Sequence, residues 1–433
     1  MTAASGQPVV VVGGGIAGCA AALAAATAGA AVTLFEQRPV AATPLHETGL
    51  LAEMVGSGDL GAEGTDRATG LLKAELEALG CPLLECARQA RLGEHSLICD
   101  GRRFAELVGE LTEDHRAIDV RREGVEAIAP GTITIVATGP VTWSPLARDL
   151  HRLAGAPFCF AFRGRPPVIS AAGLATEGAV EAPPYPGADE CLFVPLSEQE
   201  EARLIERLTG GEAIRPPGLD EAGLADETPL VEELAAADLG RLRGRVLSGP
   251  RGHKFGAHAA LRLVAEDAEG TRYQLADLMT ALAPEAQRQA LDAVAALAGA
   301  ELIRPGVVHR LPYLAAGDAL SPTLQLMRSP RTLVAGTLAG ALGYVEALAT
   351  GVVAGLSAAA LASGREPEPL PTDTLAGSLC AVIADPPAGH SGLVQANFGL
   401  VPDGAESGDN SKQARRERQI ERAMQAIGRF ASR

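Results

Sequence analysis

The 433-residue chain reads as an α/β protein, a dinucleotide-binding Rossmann-like domain that carries an inserted α+β domain. Three observations predict this. The opening PVVVVGGGIAGCAAALAAATAGAAVTLFEQRP passes from a valine strand through a glycine turn into an alanine-rich helix and a second strand, the pattern of a βαβ unit buried on both faces. From about residue 151 the texture changes to proline-rich loops, short strands and acidic helices. Near residue 332 the Gly/Ala-rich apolar texture of the start returns.

The elements follow in order. A strand is expected over about 8–12, a helix over about 16–28 ended by Gly29, and a strand over about 31–35. DRATGLLKAELEALG (66–80) has the apolar spacing of an amphipathic helix closed by Gly80, and a further helix begins near Gly101. TITIVATGPVT (132–142) reads as a buried strand running into Thr-Gly-Pro. In the second texture, CLFVPL (191–196) is a strand and SEQEEARLIERL (197–208) a helix. TLVAG (332–336) is a strand and 344–362 a helix of the first domain again. The boundaries predicted are 1–150 for the first part of the nucleotide domain, 151–304 for the insert, 305–364 for the second part, and 365–433 for a linker and a basic C-terminal helix.

Composition excludes several classes. The formal net charge is −16, which disfavours a broad nucleic-acid or anionic-membrane surface, so any RNA contact must be local. That contact is assigned to the C-terminal helix, where Lys412, Arg415, Arg416, Arg418, Arg422, Arg429 and Arg433 face only Glu417 and Glu421. The seven cysteines lack C-x-x-C spacing, so no metal site or disulfide framework is expected, and a reducing cytoplasm is the expected location. Cys19, at a helix start, is read as packing. The run at 8–35, which carries no charge, and the run at 333–363, which carries only Glu346, are long enough to span a membrane, but their glycine turns and alanine content fit buried βαβ elements better, and no membrane association is expected. Oligomeric state is not legible.

Gly13-x-Gly15-x-x-Gly18 follows a strand and opens a helix, and Glu36 ends the next strand. Each part has a mechanical reason: Gly13 turns the chain, Gly15 admits a pyrophosphate to the backbone, Gly18 lets helix and strand touch, and Glu36 accepts from a ribose hydroxyl. The helix N-terminus supplies the positive pole for phosphate. An acid at 36 favours FAD or NAD over NADP. The mid-chain Ala137-Thr138-Gly139 and the late Gly336, Gly340, Gly343 and Gly351 around a strand–turn–helix complete the layout of a glutathione-reductase-type FAD domain. The cofactor residues expected are Gly13, Gly14, Gly15, Ile16, Ala17, Gly18, Glu36, Gln37, Arg38, Thr138, Gly139, Gly336, Gly340, Gly343, Tyr344 and Glu346.

GGGIAG, FEQRP (35–39), TPLHET (43–48), GLLKAELEALG, TIVATGPVT, GVVHR (306–310), AGTLAGALGYVEALATGVVAGL and ANFGLVP together resemble one family. It is that of the FAD- and folate-dependent tRNA (uracil-5-)-methyltransferases, TrmFO. The likeness covers nearly the whole chain and is patchy in the insert. It implies FAD and methylenetetrahydrofolate as cofactors, a methyl group placed on a uridine C5, NADH or NADPH as reductant, and two catalytic cysteines.

Neither cysteine is present. Gly56, within Val55-Gly56-Ser57-Gly58, takes the first position, and Thr228, in DETPLVEELA, takes the second. Ser57, Asp59 and Thr228 are the substitutes on offer, and hydroxyls ionise far less readily than a thiol. His46 is read as a loop histidine. The His309-Arg310 pair is a candidate for a folate glutamate tail, and Leu311 stands where the family has Asn. The glycines at 56 and 58 either make room for a different ligand or mark a turn with positive φ. Three functions follow: a flavoprotein that keeps flavin redox chemistry with methyl transfer altered or lost; a uridine C5-methyltransferase using other acid–base groups; or a non-catalytic flavoprotein that binds a protein partner.

Overall fold

The computed structural model describes residues 6–142, 144–222, 224–225, 229–251, 257–315, 317, 319–387, 392–403 and 411–433. Thr228 therefore lies outside the described residues.

The valine strand Val9–Val12 lies inside a six-stranded sheet, between Val32–Phe35 and Ile133–Val136, both parallel to it. Ile118–Arg121 extends the sheet on one side. Ser329–Val334 extends it on the other, and Gln325–Leu326 pairs antiparallel at that edge. Val9 and Val11 are wholly buried, as a strand covered on both faces must be.

One covering layer is a pair of helices, Ile16–Thr27 and Tyr344–Ala362. A Cβ at Gly351 would stand 2.4 Å from Ala17 O, and one at Gly355 would stand 2.4 Å from Ala21 O. The backbones touch because both residues lack a side chain, which is the physical reason for the Gly/Ala-rich composition that imitates a membrane span. The helix Tyr344–Ala362 is long and apolar enough to cross a membrane, yet 78% of its most apolar window is buried against this core.

A second six-stranded sheet is antiparallel, in the order Leu302–Arg304, Val168–Ser170, Arg272–Leu275, Ala259–Ala265, Cys191–Leu196 and Val180–Ala182. The helix Glu198–Gly210 packs against it behind a capping box, with Ser197 and Glu200 each satisfying the other's backbone N–H. Between the two sheets runs a two-stranded ribbon, Phe158–Arg165 with Val307–Leu314. Strand alternation gives this ribbon two chemically different faces.

Several elements differ in extent from the sequence reading. The strand expected over 132–142 stops at Val136, because Gly139–Val141 is a 3-10 turn held by Thr142 Oγ1 donating to Gly139 O. The C-terminal helix spans Lys412–Ala431, and it buries Ala423 and Ile427 but leaves Ile420 and Met424 only half-covered.

Two charges in the helix Ala68–Ala78 are buried rather than solvated. Lys73 Nζ donates to Leu60 O and Gly61 O, at 2.7 and 2.8 Å. Glu75 accepts the N–H groups of Leu375 and Ala376, at 2.7 and 2.8 Å, and so caps the helix Leu375–Ala384.

Candidate functional site

Gly13 leaves the central strand at φ +104, and a Cβ there would stand 2.6 Å from Ala137 O. A Cβ on Gly18 would fall 1.8 Å from Gly13 O, whereas one on Gly15 would meet nothing within 4 Å. Gly13 and Gly18 are thus demanded by the fold, and Gly15 opens outward. Gly15 is also the N-cap of Ile16–Thr27 and offers no side-chain acceptor to the helix's first turn, so the positive helix end faces the space in front of it.

That space is a cavity of about 1080 Å³ between the first sheet, the ribbon and the second sheet. Sites for drug-sized ligands run to about 1,000 Å³, so there is room for an extended dinucleotide and part of a second ligand. Among the residues expected to hold a cofactor, Gly13, Gly15, Ile16, Ala17, Glu36, Gln37, Arg38, Thr138, Gly139, Gly336, Gly343 and Tyr344 line it.

Gly14, Gly18, Gly340 and Glu346 do not line it. Gly14 donates its N–H to Glu36. Gly340 approaches Gly392, with its Cβ position 2.5 Å from Gly392 O. Glu346 is buried beneath Gly343 and accepts the Ala396 N–H at 2.9 Å. Gly340 and Glu346 hold the 392–396 segment in place, a role that proximity in sequence does not reveal.

Glu36 is 6% exposed, and its oxygens accept the N–H groups of Gly14 and Arg38 and the Arg38 guanidinium. Burial works to raise its pKa but is outweighed by the hydrogen bonds and charge of Arg38, so the carboxyl is held below its usual range. The acid expected to meet a ribose is therefore ionised and fixed by its contacts with Gly14 and Arg38. Arg38 also reaches Glu53 at 3.1 Å, and Glu53 in turn accepts from Thr48 Oγ1 at 2.6 Å, which ties the TPLHET loop to the cavity rim.

Gly56, Ser57, Gly58 and Asp59 all line the cavity. Gly56 and Gly58 are not among the residues with positive φ, which corrects the turn reading. Gly58 is needed because a Cβ would sit 2.0 Å from Cys99 O. Gly56 donates its N–H to Tyr344 Oη at 2.7 Å.

The thiols that line this cavity are buried and held toward the protonated form. Cys99 lines the cavity, but its Sγ donates to Ala87 O at 3.2 Å and burial pushes its pKa up to about 12. Cys191, in the far wall, is pushed up to about 11 by burial. Cys19 is wholly buried, and burial and then Glu36 raise it to about 12, so its place at a helix start does not activate it.

The His309-Arg310 pair is divided by strand alternation. His309 lines the cavity, with Nδ1 buried and without a partner, and its pKa is lowered to about 4 by burial and then by Arg163 and Arg165. Arg310 lies outside the cavity lining, donates to Pro217 O at 2.6 Å and stacks 5.4 Å from the Phe160 ring centroid. His46 also lines the cavity; its Nδ1 lies 2.6 Å from Thr43 Oγ1, and burial and then Arg38 lower its pKa to about 4.

The sequence reading missed the arginines of the opposite wall. Arg163 and Arg165 share the cavity face of the ribbon with His309, and Arg304 bridges Glu47 and Glu266 beside them. Arg165 is 7% exposed, donates to Leu45 O, and keeps a buried Nε without a partner. The alternation in FRGR (162–165) carries the signal, once the segment is known to be a strand.

The fold and the site define a class, that of α/β proteins built to hold a dinucleotide at the carboxyl ends of a parallel sheet. The family model "Glucose inhibited division protein A" matches residues 8–366. The chain is 33% identical to the methylenetetrahydrofolate–tRNA-(uracil-5-)-methyltransferase TrmFO of Deinococcus radiodurans, over 98% of this chain and 94% of that one. It is likewise 33% identical to the TrmFO of Geobacter sulfurreducens, over 96% and 97%. Among solved structures, Aquifex aeolicus GidA in its form II crystal shares the fold, with a TM-score of 0.71 at 18% identity over 98% of this chain and 73% of that one. The chain belongs to the glucose inhibited division protein A family, and the curated relatives it matches along nearly its whole length bear the TrmFO name.

Proposed function

We propose that the chain is an FAD-dependent redox enzyme that works without a cavity thiolate, and in which the methyl transfer named in its relatives is altered or lost. One observation carries the reading: position 56 is glycine, and the cysteines in the cavity wall are buried and held protonated. A thiol with a pKa near 12 supplies no nucleophile at neutral pH.

The residues present fit FAD. Gly13, Gly15 and the start of Ile16–Thr27 would take the pyrophosphate, Glu36 the ribose, and Gly336, Gly343 and Tyr344 the far end. When bound, the flavin would supply two-electron chemistry, with NADH or NADPH as the proposed reductant. The chain's own residues bind, orient and charge the site. The neutral His309 and the guanidinium groups of Arg163 and Arg165 face the remaining space, and this supports a second, anionic ligand such as methylenetetrahydrofolate.

A second reading, of a working uridine methyltransferase, is favoured by likeness to methyltransferases over nearly the full length. Its RNA contact would fall on the helix Lys412–Ala431, although Arg415 pairs with Asp403 and Arg433 with Glu368, which removes part of the free positive charge. A cytoplasmic location suits either reading.

The test is to purify the protein, record its flavin spectrum, and incubate it with NADPH, uridine-containing tRNA and methylenetetrahydrofolate labelled in its one-carbon unit. The proposal expects bound flavin that NADPH reduces, with no label in RNA. Label in methyluridine would establish the second reading, and colourless protein that takes up no FAD would end both.

A further inference from the structure

Tyr344 is the first residue of the helix Tyr344–Ala362, and its side chain reaches across the cavity to the 56–59 loop. Its Oη accepts the Gly56 N–H at 2.7 Å, and a Cβ built on Gly56 would stand 3.0 Å from that oxygen. Any side chain at position 56 would therefore share its space with the hydroxyl. With glycine there, no side chain at 56 screens Oη, which stands at the loop whose Ser57 and Asp59 also line the cavity. Among the described residues its one hydrogen-bond partner is a donor, so its own proton is uncommitted.

We infer that Tyr344 is the proton donor of this cavity, filling the acid–base role that a thiol at position 56 would have. Its partner is a planar heterocyclic ligand on which negative charge develops. The inference rests on the redox reading above. In the step, the Oη–H bond breaks, the proton passes to the ligand atom that has become anionic, and the electron pair remains on oxygen. Water then returns a proton to the phenolate.

The surroundings suit both states. Burial raises the pKa of the hydroxyl and keeps it protonated at rest, while Arg163, the Gly56 N–H, Arg304 and Arg165 oppose that rise and would stabilise the phenolate. On its own helix the nearby carboxylate, Glu346, is turned to the Ala396 N–H. The phenol is thus held by a backbone donor and faced by three cations. A donor fixed in this way loses no free energy to reorganisation when charge appears.

The experiment uses FAD-loaded protein with fluorotyrosine at its four tyrosines. The Tyr344 fluorine resonance, assigned by its loss in Tyr344→Phe, is expected to move when dithionite reduces the flavin, while Tyr273 and Tyr313, which are outside the cavity lining, stay in place. An unmoved Tyr344 resonance overturns the inference.

A second arm follows single-turnover reaction of the reduced protein with methylenetetrahydrofolate. Tyr344→Phe, with its rate taken per bound flavin, is expected to slow it about 100-fold and to abolish the alkaline limb of its pH profile. Gly56→Ala, whose methyl crowds Oη, is expected to give an intermediate loss. An unaltered rate and profile in Tyr344→Phe overturn the inference. If the wild-type protein does not react with folate at all, the redox reading fails on that substrate, and the resonance alone decides the role of Tyr344.

Discussion

Single residues at this site are set by contacts that tolerate no addition. Gly18 is the sharpest case, since a methyl group would overlap Gly13 O at 1.8 Å. Gly18→Ala is expected to cost about 1–3 kcal/mol, the range for overpacking, and to release FAD, as a urea titration and the flavin absorbance would show. Gly15→Ala meets no protein atom, so it should fold normally and lose flavin only. Finding the two variants equally destabilised would contradict the division of labour between these glycines.

The two cavity histidines give a pH prediction. His46 and His309 both have pKa values lowered from 6.5 to about 4. The unfolded chain therefore binds protons between these values that the folded chain does not, and stability falls as pH drops through that window. The urea midpoint should fall from about pH 7 to about pH 4.5, and a His46→Asn, His309→Asn double variant should flatten the slope. A slope that the double variant leaves unchanged would assign the loss to other groups.

At the scale of elements, local pattern carried most of the fold. The βαβ opening and the helix Tyr344–Ala362 were legible because strand, glycine turn and helix follow one another with their own periodicities. The helix Ala68–Ala78 was legible as a helix, but nothing in its pattern marks Lys73 and Glu75 as buried. Their partners, Leu60, Gly61, Leu375 and Ala376, come from segments distant in sequence, and no helical period can announce them. The same limit hid the arginine wall and misplaced Gly340 and Glu346, whose neighbours lie in the 392–396 segment. Glu75→Ala is expected to leave two buried N–H groups unmet and to cost about 2–4 kcal/mol. Faster hydrogen exchange at Leu375 and Ala376 would check it, and wild-type protection there would refute the capping role. Gly351→Leu should push apart the helices Ile16–Thr27 and Tyr344–Ala362 and abolish soluble folded protein, whereas Gly364→Ala, outside that contact, should not.

Across the whole molecule, the cavity exists because two sheets and a ribbon face one another, and carboxylates tie its rim together, Glu47 to Arg272 and Arg304 and Asp189 to the 94–96 segment. Asp189, in the loop before Cys191–Leu196, accepts the N–H groups of His95 at 2.7 Å and Ser96 at 2.8 Å, together with that of Glu94. Asp189→Ala is expected to speed proteolysis at residues 183–190 severalfold and to raise the dissociation rate of bound flavin. An unchanged cleavage pattern would show that the rim is held elsewhere.

The central claim is flavin redox chemistry that needs no thiolate. It is tested most directly by alkylating the FAD-loaded protein with iodoacetamide and following flavin reduction by NADPH, then reoxidation by methylenetetrahydrofolate, before and after treatment. The account predicts a yellow protein whose two rates are unchanged by alkylation, since its cavity cysteines are buried and protonated. Loss of either rate in step with modification of a cysteine would contradict it.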